Sequence, residues 1–190
     1  MKVRRVLFQS EAALNGASGG AQFLLNWLEP EEAVRANIDR IKAKSGVSGK
    51  PLSYALRVGI VARRTEEEAW REIARGWGKL SEQHIHDAFG GNTSVTESVG
   101  AARQRSFRPD IVRHWSDLRS ANNRWGGFNL LRPGPPIGLV GSYEQVAEQL
   151  QNLIDLGVGS FVLAATPHLE EAQRIGENVL PLLNRSIKLL

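Results

Sequence analysis

Two patterns of apolar residues take turns along the chain. Short apolar runs, the mark of buried strands, alternate with longer stretches in which apolar residues recur every three or four positions, the mark of one-sided helices. Four segments have the strand pattern: Val3 to Gln9, Gln22 to Leu28, Leu52 to Ala62 and Ser160 to Ala165. Helix patterns follow most of them, with start signals that can be named. Pro30-Glu31-Glu32 puts a proline and two acids ahead of Val34, Ile38 and Ile41, which suits a helix first turn and its dipole. Thr65 with Glu68, and Ser142 with Gln145, have the spacing of capping boxes. They precede Trp70, Ile73 and Trp77 in one case, and Val146, Leu150, Leu153 and Ile154 in the other, with Gly157 as the expected stop. In the last helix Thr166 is the expected N-cap and Pro167 the first helical residue. Leu169, Ala172, Ile175, Val179 and Leu183 form the expected buried stripe, and Pro181 should kink or shorten the helix.

The alternation fails between residues 78 and 136, which hold "FGGNTSV", an arginine cluster and "RPGPPIG". So long a stretch is not a simple connection; it reads as a functional excursion, a partly helical insertion, or both. The order is βαβαβα, then the insertion, then αβα, a parallel α/β arrangement of four strand-and-helix units. A closed (β/α)8 barrel needs eight such units and about 250 residues, so the pattern supplies half of one. The whole chain reads as a single partial domain.

Composition narrows the class. The 190 residues are 42% apolar and 23% charged, as in an ordinary globular protein, and none is a cysteine. Disulfides, thiolate zinc sites and a cysteine nucleophile are thereby excluded. The basic residues Lys2, Arg4 and Arg5 are followed by an apolar run too short for a signal peptide, and no stretch has the length of a membrane span. A cytoplasmic location is the expectation. Seven arginines (103, 105, 108, 113, 119, 124 and 132) stand against Asp110 and Asp117 between Ala101 and Pro136, so about +5 lies there and the remainder of the chain, whose net charge is +4, is close to neutral. A solvated basic loop is the simplest account and a small anionic ligand the second. Nucleic acid is not expected, because no binding motif or aromatic interleaving accompanies the arginines.

Three side chains stand out. His168 follows an apolar run at a strand-to-helix corner, and the carboxyl ends of parallel strands are where ligands are met. Arg57 lies inside an apolar strand, where it needs either a buried carboxylate or a bound anion. Arg132 sits among glycine and prolines, as a rim residue or as a loop charge that clamps an anion. The free N–H groups at Gly141-Ser142 are explained by the capping box, and His84 with His86 lacks the third ligand a metal site needs. No metal is expected. Trp27, at a strand end, is either a packing residue or part of a cavity wall.

The pieces "LRVGIVARRTEEEAWREI", "LVGSYEQVAEQL" and "PHLEEAQR", with their spacing, resemble the carboxyl half of the bacterial-luciferase-like flavin monooxygenases. The FMNH2-dependent alkanesulfonate monooxygenases are the branch that the chain most resembles, from near Phe23 to Leu183. The resemblance implies a luciferase-like TIM barrel, here as a C-terminal half-barrel with an insertion before the last units. It further implies reduced FMN as cofactor, O2 as co-substrate, a flavin reductase partner and a small, anionic, alkanesulfonate-like substrate. In that reading Arg57, Arg132 and His168 are the catalytic contacts, and Ser10, Trp27 and Thr166 contact the flavin.

The match departs from the family at two places. The family's Arg-x-His strand motif falls on Arg57-Val58-Gly59, so a glycine replaces the histidine. Its Tyr-Pro-His corner falls on Thr166-Pro167-His168, so the phenol is lost while the histidine stays. Strand edges left open by a half-barrel invite a homo-oligomer or a complementary half. A catalytically incomplete scaffold is therefore the alternative expectation.

Overall fold

The computed structural model describes residues 5–8, 22–48, 52–89, 109, 112–132, 134 and 136–183. Ser10 and the glycine-rich segment 16–19 lie outside the described residues, as do the side chains of 22–27, Trp27 among them.

Five strands run parallel: β1 (Arg5–Phe8), β2 (Gln22–Trp27), β3 (Leu52–Arg63), β6 (Gly138–Ser142) and β7 (Val158–Ala164). A two-residue hairpin, β4 (Arg119–Ser120) and β5 (Arg124–Trp125), adds antiparallel strands beside β6. The helices are α1 (Glu31–Ser48), α2 (Glu66–Trp77), α3 (Glu82–Phe89), the single turn α4 (Phe128–Leu131), α5 (Tyr143–Leu156) and α6 (His168–Asn178).

The twelve-residue β3 organises the sheet. Its first half pairs β2 from Leu52 to Arg57, and β7 pairs Tyr54 to Gly59. Overlapping registers at the same residues place β2 and β7 on opposite edges. Gly59 pairs both Gly138 and Ala164, so β6 continues along the edge that β2 leaves. Alternation along β3 then divides the core. Tyr54, Leu56, Val58, Ile60 and Ala62 join Val34 and Ile38 of α1, Leu150 and Leu153 of α5, and Ile175 of α6. Val61, on the opposite face, packs with Trp70 and Ile73 of α2 and with Trp125 and Phe128 of the excursion.

Several sequence expectations need correction. β6 lies just after the irregular stretch 78–136, where no strand is expected before the Ser142 cap, so five parallel strands replace the expected four. The excursion holds α3, a hairpin and α4. Pro167, not Thr166, is the N-cap of the last helix, and His168 is its first residue. The expected buried stripe holds at Ile175, Val179 and Leu183 but fails at its start, where Leu169 is 79% exposed, Ala172 is exposed and Glu171 is buried instead. Other signals match the structure. Ser142 and Gln145 form a reciprocal capping box, Thr65 accepts from the Glu68 N–H, and Gly157 caps α5 in the left-handed conformation. A 3-10 turn at Leu180–Leu182, with its proline, follows the end of α6.

Two carboxylates hold the layers together. Glu171 is buried and receives both ends of the Arg63 guanidinium at 3.0 Å, which ties α6 to the end of β3. Glu66 receives the Gln145 amide at 2.9 Å, the Trp70 indole at 3.0 Å and Arg119 at 3.1 Å. It thereby joins α2, α5 and the excursion.

Glu171→Ala is expected to lower unfolding stability by about 3 kcal/mol, because it strands a mostly buried guanidinium. The pair Arg63→Met with Glu171→Leu should recover most of that loss in urea denaturation. The Glu66 carboxyl is held below its ordinary 4.5, chiefly by the Gln145 and Trp70 hydrogen bonds, with Arg119 adding to them. A depressed pKa makes the stabilisation fully present above 4.5 and removes it as pH falls through the lower folded value. Acid titration of the denaturation midpoint should therefore be shallower in Glu66→Gln than in the unaltered chain.

Candidate functional site

A cleft of about 430 Å3 opens at the carboxyl ends of β3 and β7. Val61, Phe128, Arg132, Thr166 and Pro167 are among the residues that line it. Each position follows from the fold. β7 ends at Ala164 opposite Gly59, β3 runs on to Arg63 beside β6, and the excursion packs on this end through Phe128 before it enters β6.

Charge on this cleft is uneven. Arg63 is neutralised by Glu171, with Glu72 at 3.8 Å, and Arg75 pairs with the same Glu72. Arg132 and Lys79 also line the cleft and take no part in the ion pairs formed among the described residues.

Beside the cleft, whose lining includes Arg132 but neither Arg57 nor Gly134, the two arginines converge at Gly134. A Cβ built on Gly134 would lie 3.9 Å from Arg57 Nη2 and 4.0 Å from Arg132 Nη2. Arg57 Nε and Arg132 Nη2 are both buried without a hydrogen-bond partner. The Arg132 guanidinium has its pKa lowered by burial first and by the Arg57 charge second. Among the described residues two like charges meet here with no carboxylate between them, and each keeps an orphaned donor. Buried guanidinium donors need acceptors, so the arrangement fits a sulfonate, phosphate or carboxylate that accepts from both forks. That is the observation by which the residues present suit an anionic substrate or a phosphorylated cofactor.

The other expected site residues fall differently. Thr166 lines the cleft. His168 is exposed at the first position of α6; its Nδ1 lies 2.6 Å from the Ala165 carbonyl oxygen and it is not part of the cleft wall. Trp27 is placed by its backbone in register with Arg57. His84 lies 3.2 Å from the Leu130 carbonyl oxygen, which ties α3 to α4. Among the described residues no group of three acidic or histidine side chains could hold a metal, and no helix is long and apolar enough to cross a membrane.

Phe128 and Gly138 carry no chemistry of their own, and the sequence pattern passes over both. Gly59, where the resemblance leads one to expect a histidine, is the one signal that points to them. A Cβ on Gly59 would lie 2.7 Å from the Phe128 ring, so the ring takes the space a side chain would need. A second cleft of about 570 Å3 lies beside the start of α1, lined by Glu31, Glu32, Asp117, Arg119 and Arg124. Its acidic and basic groups are mixed, so it lacks the one-sided charge of the first.

The model of the luciferase-like monooxygenase family matches residues 9–160. Three solved structures share the fold. EDTA monooxygenase from Chelativorans sp. BNC1 is 18% identical with a TM-score of 0.62, over 92% of this chain and 44% of that one. Riboflavin lyase, solved with modified FMN and riboflavin, is 17% identical with a TM-score of 0.57, over 92% and 42%. Apo-MsnO8 is 18% identical with a TM-score of 0.51, over 93% and 49%. The chain thus spans less than half the length of each. Its α/β sheet is part of a luciferase-like TIM barrel, and the chain belongs to the luciferase-like monooxygenase family.

Proposed function

We propose that this chain carries the anion-holding part of a flavin-dependent monooxygenase site, with Arg57 and Arg132 as its two clamps. The observation that carries the reading is the convergence of two guanidiniums on Gly134 with orphaned donors and, among the described residues, no carboxylate between them. Reduced FMN with O2 is the oxygenating chemistry such a site serves. Of the two groups an anion clamp suits, the substrate is favoured: a small sulfonate- or carboxylate-bearing molecule. The EDTA monooxygenase, named for a polycarboxylate, supports that class.

In this reading Arg57 and Arg132 orient the anionic end by paired hydrogen bonds. Thr166 offers a hydroxyl to the bound molecule from the cleft lining, and Lys79 adds a positive field. The apolar Val61, also in that lining, keeps water from its part of the cleft. His168 holds the β7–α6 corner through its contact with the Ala165 carbonyl oxygen, and in this chain we give it that role rather than contact with the reacting atoms. Ser10 and Trp27 stay as proposed flavin contacts on the family resemblance alone. A flavin reductase is the proposed source of reduced FMN, and the cytoplasm the proposed location.

A second reading is an oligomerisation or scaffold unit. One observation favours it: β7 pairs only β3 among the described strands, and Val162 on it is 47% exposed.

Arg57→Ala and Arg132→Ala should each weaken sulfate or methanesulfonate binding about tenfold, the value of one charge-assisted hydrogen bond. Arg57→Ala should leave unfolding stability within about 1 kcal/mol of the unaltered chain, since no buried carboxylate loses its partner. Calorimetric titration with parallel denaturation checks both. Unchanged affinity in both variants would remove the clamp. An anaerobic titration with reduced FMN, followed by tryptophan fluorescence, tests the cofactor: saturable binding in the micromolar range supports the reading, and none at millimolar flavin leaves the scaffold.

A further inference from the structure

The proposed clamp takes one arginine from a strand and the other from the end of a long excursion. The strand residue is fixed by two neighbouring strands, but the excursion residue needs a seat of its own. Phe128 supplies one. A Cβ at Gly59 would lie 2.7 Å from Phe128 Cδ1 and 2.9 Å from Cγ; one at Gly138 would lie 2.5 Å from Cε2 and closer still to the Gly59 carbonyl oxygen. Gly59 and Gly138 are register partners on β3 and β6. Their missing side chains leave a slot one ring wide, and the buried Phe128 ring fills it. Trp125 closes the slot from the side, edge-on, with its ring centroid 5.4 Å away.

The backbone carries this seat to Arg132. The Phe128 N–H donates to the Pro136 carbonyl at 3.0 Å, which closes the loop at its base. The Arg132 N–H donates to the Phe128 carbonyl at 3.1 Å, one helical turn later. Gly59 stands two residues after Arg57 on the same face of β3. Where the ring sits thus decides where Arg132 stands relative to Arg57.

We infer that Phe128, seated between Gly59 and Gly138, is the positioning residue that holds Arg132 beside Arg57. A side chain at position 59 and a seated excursion exclude each other. The glycine that replaces the family's histidine is therefore part of how this chain builds its anion clamp. The inference rests on the anion-binding reading for its function, but the seat itself is measurable without a ligand.

The test uses Gly59→Ala, Phe128→Leu and the double variant, each in the full chain. Hydrogen exchange is read by mass spectrometry over residues 125–132 and over α5, and sulfate affinity by calorimetry. In Gly59→Ala the 125–132 peptide should exchange at least tenfold faster while α5 is unchanged, and sulfate affinity should fall about tenfold. Phe128→Leu in the Gly59→Ala background frees room for the new methyl and should restore part of both. Unchanged exchange in Gly59→Ala overturns the seat. Faster exchange with unaltered sulfate affinity overturns the positioning role and leaves the clamp intact. If the unaltered chain binds no sulfate, the clamp reading fails, and the exchange result alone still supports or overturns the seat. Should α5 also loosen in Gly59→Ala, Phe128→Ala is judged by the same criteria.

Discussion

Strand β3 hydrogen-bonds along both edges, and the rest of the molecule is placed by that fact. Twelve residues give room for β2 and then β6 on one edge and for β7 on the other. Its even-numbered side chains from Tyr54 to Ala62 anchor the larger core, while the odd-numbered face receives α2 and the excursion. Burial on both faces explains why the strand tolerates a near-continuous apolar sequence. It also explains why Arg57 is conspicuous, since a charge on such a strand has few places to go.

The path of the excursion follows from that second face. Trp70 stacks on Trp115 with ring centroids 5.6 Å apart, Arg119 lies 4.0 Å over the Trp70 ring, and Trp125 is fully buried. Aromatic area of this kind outweighs the polar groups carried with it. A basic stretch that looks like solvated loop in isolation is therefore folded against α2, and two of its arginines end up with partly or wholly buried guanidiniums.

Much of the architecture was legible from residue spacing. The strand limits, the Ser142 cap and the Gly157 stop depend on local chemistry, and local chemistry is visible in sequence. β6 was not legible, because five residues flanked by glycine and prolines carry no periodic signal of their own; their strand state comes from pairing with β3. The start of the α6 stripe was misplaced for a related reason. Glu171 turns inward only because Arg63, 108 positions away, meets it there. The same long-range choice decides the site: Arg63 receives a carboxylate and Arg57 does not, and nothing near either residue announces which. The match to the family drew attention to Arg57 and Arg132, and the space filled by Phe128 gives a physical reason for the glycine at 59.

The central claim is that one anion bridges Arg57 and Arg132. Its most direct test is a crystal of the chain grown with selenate, examined by anomalous scattering at the selenium edge. The account predicts a peak within hydrogen-bonding distance of both guanidiniums, near Gly134. Selenium bound only at other basic groups, with the space between Arg57 and Arg132 holding none, would contradict it.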